Sequence, residues 1–447
     1  MREERAALAA RIEALEADIA ARKAGAPAPE PAAKPDVPWV PPIGGSLPGQ
    51  GAWTFGAYVQ AQYEQHQNSA DQVAQDGSYL NQDRFLVRRG RLRFDAAWEY
   101  SELAVELDGN TTNGPVVAAR RINASLVWRG KPWEGRLDPR TAREWDPPLA
   151  RLTLGLTGIP FGFELADSHR DRVFLERTRA STAFFPGEQD VAAVLAGGAG
   201  FFRYALAAMN GNPLGDGTSL PVGDPTHAKD LSARLGVDVR PSERLRIAGG
   251  VSALYGNGFH AGTPATKAGV SWVDLNQNGQ IDPGELVGVP AMSATLSQSF
   301  TRWAVGADLE IRFRTPLGWS MLYGEATIAQ NLDRGQFVAD PIATGVDVRE
   351  FGAYAAFVQE ITRYGLVGFR FDYYDPNADF LQSTAGKLVP VSEAISTLSP
   401  LVGLQLPDRA RLIFEYDAVK NFLALDARGV PTNLPMNMFA LRLQVQL

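Results

Sequence analysis

Cysteine is absent from all 447 residues, which excludes a disulfide scaffold, thiol catalysis and thiolate metal sites. No run of about 20 apolar residues exists, so no transmembrane helix is expected. The longest apolar candidate, Ala192 to Met209, is cut by a glycine cluster and by Arg203. Lysine is scarce: of 43 basic residues, 36 are arginine and 7 lysine. Arginine keeps its charge and its planar donor fork even where solvation is poor. Only four histidines occur, His66, His169, His227 and His260, all in expected loops. None is spaced with a nucleophile and an orienting group as hydrolysis needs, so no enzyme is expected. The net charge of −7 and a pI near 5.4 argue against a nucleic-acid partner.

What is present is glycine (44), proline (30) and 45% hydrophobic residues, a composition suited to many strands joined by turns. Residues 1–23 read as a short helix in which Leu8, Ile12, Leu15 and Ile19 follow the 4-3-4 spacing of a coiled-coil seam. A single helix of that length is marginal in water, so an oligomeric stalk is expected. No signal peptide is visible ahead of it, since Met1 runs straight into charge. Residues 24–52 form a Pro/Ala-rich linker, a semi-rigid extended spacer.

From Trp53 onward the period changes to two. Leu92, Phe94 and Ala96 alternate with Arg91, Arg93 and Asp95, and Leu231, Ala233, Leu235 and Val237 with Ser232, Arg234, Gly236 and Asp238. Such strands carry one apolar face and one rich in charge and glycine. Tight turns, near Tyr100, Gly197–Gly200, 241–243, 315–318, 362–364 and 407–408, alternate with long segments such as 66–83, 110–119, 158–190 and 256–297. The segment 130–149 is long on the side of the short turns. About sixteen strands result, an even number suited to an antiparallel transmembrane β-barrel over 53–447. The final MFALRLQVQL would close against the first strand, WTFGAYVQAQYEQ. The expectation is an all-β, sixteen-stranded barrel in the Gram-negative outer membrane, in contact with its lipid, with the helix in the periplasm.

If Leu92 and Phe94 face lipid, Arg89, Arg91 and Arg93 project into the lumen as a ladder with rungs about 6 to 7 Å apart. Pairing across the turn near Tyr100 sets Arg93 opposite Asp108 and Asp95 opposite Glu106. Paired arginines would brace the wall, and unpaired ones would be stepping stones for anions; both readings stay open. Arg121, Arg151, Arg203, Arg234 and Arg246 also fall on inner faces, with Asp238, Asp308, Glu310, Glu415 and Asp417 expected across the lumen.

The segments FGAYVQAQYEQ, RFLVRRGRLRFDAAWEYSELAVELD and IPFGFELADSHRDRVFLERTRASTAFFPGEQDVAAVLAGG, with AAMNGN, GFRFDYYDPNAD and the closing strand, resemble the phosphate-selective porins of Gram-negative outer membranes. The resemblance covers roughly 53–447 and implies a homotrimer of channels for small solutes or anions, each narrowed by its third long loop. It puts Arg177 and Arg179, beside Glu176, near the constriction, where a bidentate arginine could grip phosphate or carboxylate. A loop-folding salt bridge of Glu176 is the alternative. Another reading of the whole chain is a structural barrel tethered to the cell wall through its N-terminal coiled coil.

One further motif lies in the fifth long segment. DLNQNGQIDPGE, residues 274–285, fits the twelve-residue calcium loop. Asp274, Asn276 and Asn278 take positions 1, 3 and 5, Gly279 the sharp turn, and Gln280 the backbone carbonyl at 7. Asp282 takes position 9 and Glu285 the bidentate carboxylate at 12, with Ile281 as the apolar plug. A weak structural Ca2+ clasp in a surface loop is expected.

Overall fold

The computed structural model describes residues 43–130, 147–211, 227–384, 386–390, 393–406, 410–428 and 430–447. The expected coiled coil of 1–23, most of the linker and most of 130–149 lie outside them. Sixteen strands form the wall: β1 (Gly51–His66), β2 (Arg84–Ala97), β3 (Ser101–Asn110), β4 (Val116–Trp128), β5 (Ala150–Gly158), β6 (Gln189–Ala199), β7 (Phe202–Met209) and β8 (Asp230–Ser242). β9 (Leu245–His260), β10 (Gln298–Arg314), β11 (Trp319–Gln330), β12 (Arg349–Ile361), β13 (Gly365–Asp375), β14 (Ile395–Leu406), β15 (Ala410–Lys420) and β16 (Met438–Gln446) complete it. Every strand pairs antiparallel with the next, and β16 pairs with β1 from Tyr58↔Gln446 to His66↔Met438. No edge is left open, so every ladder is satisfied within the sheet.

The barrel begins at Gly51, and a short strand at Ile43–Leu47, within the stretch expected as linker, folds back on Gly51–Phe55. Alternation explains the wall. Val59, Leu92, Leu154, Leu206, Val251, Val305 and Val402 point outward and are exposed, while their neighbours point in. An apolar belt on this scale belongs in apolar surroundings, not water. The segment expected over 110–119 is shorter than that, because β4 already starts at Val116.

The register at the β2–β3 turn differs from the expectation. Arg91 stands opposite Asp108 and Arg93 opposite Glu106, while Asp95 faces Ala104. The slip is two residues, so each side chain keeps its face and only its partner changes.

Bulges add a second departure. Gln60 pairs with Arg89 and Ala61 with Val87, leaving Arg88 as the extra residue; Glu106 pairs with Arg121 and Leu107 with Ala119, leaving Arg120. A bulge re-aims side chains locally, and both double arginines sit on one.

Two short helices occur among the described residues, α1 (Arg179–Phe184) and α2 (Pro341–Thr344), both in loops. The loop between β9 and β10 carries a two-stranded hairpin, Gly269–Trp272 with Leu286–Val289. Gln277 Nε2 at its tip donates to Gln75 Oε1, 3.0 Å away, in the loop between β1 and β2. Those loops leave the wall eight strands apart, so the hairpin spans the mouth.

Candidate permeation pathway

The segment 159–188 connects two neighbouring strands, with Gly158 paired to Gln189, yet it carries Phe161, Phe163, Leu165, Phe174, Leu175, Phe184 and Phe185. A surface loop cannot shed so much apolar area, and this one turns into the lumen. Phe161, Leu165, Ala183, Phe184 and Phe185 pack with Ala207, Leu254 and Ala304 of the wall in one apolar cluster. Phe174 and Leu175 pack with Tyr323, Tyr354, Val358, Leu366 and Ile413 in another. Gly162 lies against the wall with φ +62°, and a Cβ there would stand 2.1 Å from the Glu325 carboxylate, so only glycine fits. Each of the sixteen strands contributes an inward residue less than a tenth exposed, among them Gln60, Asp108, Thr153, Ser252, Arg370 and Arg442. Hydrogen bonds, ion pairs and apolar clusters tie the loop to β1, β2 and the wall from β6 round to β16.

Charge fixes the loop in place. Glu176 accepts from Arg88 Nε and Nη2 (2.8 and 2.9 Å), from Arg89 Nη2 (3.0 Å) and from Arg442 Nη2 (2.5 Å). Burial alone would push this carboxyl up, but Arg88, Arg89 and Arg442 hold it well below the usual carboxylate range. A second clamp closes on Glu188, with His169 Nε2 at 3.0 Å, Arg172 at 3.3 Å and Arg177 at 3.2 Å. Burial again opposes ionisation, and His169, Arg172 and Arg177 outweigh it. Burial, backed by Arg89, holds the His169 imidazole well below its ordinary value, so it stays neutral and donates one N–H.

Wall carboxylates grip the loop backbone as well. Glu325 accepts the Phe163 N–H (2.9 Å), Glu415 the Leu175 N–H (2.9 Å) and Asp372 the Arg179 N–H (2.8 Å). Arg334, from the loop before β12, donates to the Phe184 carbonyl at the end of α1 (2.9 Å) and to the Gly211 carbonyl (3.0 Å).

These contacts locate the arginines expected to line a pathway. Arg89 and Arg91 are buried, 1% and 5% exposed, and Arg91 pairs with Glu106 at 3.1 Å. Arg93 is bidentate to Asp95 (2.6 and 2.9 Å). Arg177 serves Glu188 and the carbonyls of Ser181, Phe185 and Pro186. Arg151 reaches Glu102 at 3.1 Å, and Arg203 donates to the Gly200 and Phe202 carbonyls. Of the arginines expected to line a pathway, Arg121 and Arg179, both half-buried, have guanidiniums with no hydrogen bond or ion pair to a described residue.

Arg88, Arg120, Arg172, Arg370 and Arg442 escaped the sequence reading. The doubled arginines at 88–89 and 120–121 were the available signal, since two charges in a row break a strict alternation.

Below the loop, on the short-turn side, the lumen opens into a space of about 330 Å³ lined by β5 to β10. Small inward residues, Ala196, Ala205, Gly236 and Ala248, make the room. Arg234 is bidentate to Asp308, and Arg246 pairs with Asp238 (2.9 Å) and Glu310 (3.2 Å). Asp238, Asp308 and Glu310, expected across the lumen from these arginines, thus alternate with them on one wall, so that wall is braced and its field largely cancelled, while Glu415 and Asp417 lie on β15.

In the loop over 274–285, Asp274 accepts the N–H groups of Asn278 (3.1 Å) and Gly279 (2.8 Å), and Gly279 has φ +71°. The Asn276 and Asn278 amides converge on Asp282 (2.6 and 2.7 Å). Glu285 is engaged by Trp272 Nε1 and the N–H groups of Leu275 and Asp282. Among the described residues no three His, Asp or Glu side chains gather as an ion requires. The donor set therefore fits calcium only with the amide oxygens of Asn276 and Asn278 and the Gln280 carbonyl. Ile281, expected as an apolar plug, is exposed.

No family model and no curated protein matches this chain. Among solved structures it is similar to the outer membrane channel DcaP of Acinetobacter baumannii, at 11% identity and TM-score 0.53, over 91% of this chain and 100% of that one. It is also similar to OprB of Pseudomonas putida, at 10% identity and TM-score 0.51, over 89% and 94% of the two chains. The fold is that of an outer-membrane channel. At such identities the likeness concerns the barrel, and what passes through it must be argued from these residues.

Proposed function

We propose that this barrel is an outer-membrane channel for passive diffusion of small solutes, with a preference for anions such as phosphate. The observation that carries it is a closed wall, apolar outside and arginine-rich inside, around a lumen with a space of about 330 Å³ below the third loop. The preference for anions is supported by Arg121 and Arg179, whose guanidiniums make no hydrogen bond or ion pair to a described residue. In planar bilayers under a salt gradient, Arg121→Glu is expected to move the reversal potential toward cation preference. An unchanged potential would remove Arg121 from the pathway. The same proposal includes a homotrimer, supported by the sequence resemblance over 53–447, and a periplasmic stalk, supported by the 4-3-4 seam of 1–23.

A second reading, a structural barrel tethered to the cell wall, draws support from the two apolar clusters and two charge clamps by which the third loop fills the lumen. A bilayer without conductance steps would favour it.

Calcium binding at 274–285 is proposed alongside, supported by the fit of Asp274, Asn276, Asn278, Gln280, Asp282 and Glu285 to the loop pattern. Calorimetry on the folded protein should give calcium heat that Asp274→Ala abolishes; no heat in the parent overturns it.

A further inference from the structure

We infer that Arg88, Arg89 and Arg442 form a receptor for a solute oxyanion, and that the Glu176 carboxylate occupying it is a tethered stand-in that such an anion displaces. This deepens the channel proposal and rests on it. Three guanidiniums around one carboxylate leave a formal excess of two positive charges. The two Glu176 oxygens take the two-point geometry that a phosphate or carboxylate would take.

The receptor is rigid. Arg89 Nη1 donates to Gln60 Oε1 (3.2 Å) and Arg442 Nε to Gln62 Oε1 (2.6 Å), so the wall holds both donors whether or not Glu176 is present. Their side chains are 2% and 5% exposed, whereas Glu176 is 29% exposed. The solvent-facing part of this site is therefore its occupant. Buried guanidiniums cannot be left without an anion except at high cost, so Glu176 departs only by exchange. A free anion bearing two or more oxygens can approach from the exposed side and take its place. The Glu188 clamp holds Arg177, and Phe174 and Leu175 are packed in an apolar cluster, so the exchange moves the Glu176 side chain while the backbone beside it stays in place.

A tethered carboxylate competes at a high effective concentration, so removing it should unmask the receptor. Calorimetry of inorganic phosphate on the folded barrel in detergent is expected to show at least tenfold tighter binding to Glu176→Ala than to the parent. The gain should vanish in Glu176→Ala/Arg442→Ala. No gain, or a gain that survives loss of Arg442, overturns the receptor. If Glu176→Ala does not fold, Glu176→Gln removes the charge with the same size and should show a smaller gain in the same direction. A calorimetric gain without conductance steps for either protein in planar bilayers would refute the channel while leaving the receptor standing.

Discussion

Excising residues 159–188 and joining Gly158 to Gln189 through a short glycine-containing turn is expected to raise single-channel conductance several-fold. The two ends are a paired position of β5 and β6, so a hairpin turn replaces the loop without disturbing the wall. What disappears is the segment that packs into the lumen through both apolar clusters. The cost is the loss of both apolar clusters, so the variant should also unfold at lower temperature. Unchanged conductance with an intact barrel would mean that solutes take a path the loop does not obstruct.

The second large effect is expected at Glu188. Replacing it with alanine leaves Arg172 and Arg177 buried beside an empty site, which should destabilise the folded barrel by about 3–5 kcal/mol. Denaturant titration in lipid vesicles measures this, and a change under a kcal/mol or so would show that water repairs the gap. The pH dependence has a definite sign. Because its carboxyl lies well below the ordinary value, Glu188 adds stability at every pH above its unfolded pKa of about 4.3. That contribution is lost as pH falls through the folded value. The parent should therefore keep its lock in mild acid and lose it in strong acid, and Glu188→Gln should flatten that acid limb.

The wall was legible because a strand between lipid and lumen must alternate. Leu92, Phe94 and Leu107 could face only one way, and the partners of β16 followed from its apolar face. Register was less visible: nothing local separates Arg93 opposite Asp108 from Arg93 opposite Glu106, since both keep charge inside. Bulges hid Arg88 and Arg120, because a strict period of two sends one of each doubled pair outward. The loop was the largest miss in kind. Seven apolar residues between Phe161 and Phe185, and inward Tyr323, Val358, Leu366 and Ile413, break the polar-in rule on both sides of one interface. They make sense only together, as a core formed between a wall and its own loop.

The placement of Glu176 also has a chronology. Its partners Arg88 and Arg89 sit on β2, and Arg442 on β16, beside the seam where Gln60 and Gln444 bond across 384 residues of sequence. Until β16 zips onto β1, the third loop has half a binding site, and its carboxylate meets two arginines rather than three. An unfinished barrel therefore carries an undocked, charge-exposing loop inside it. The loop's full set of three arginines exists only once the cylinder has closed.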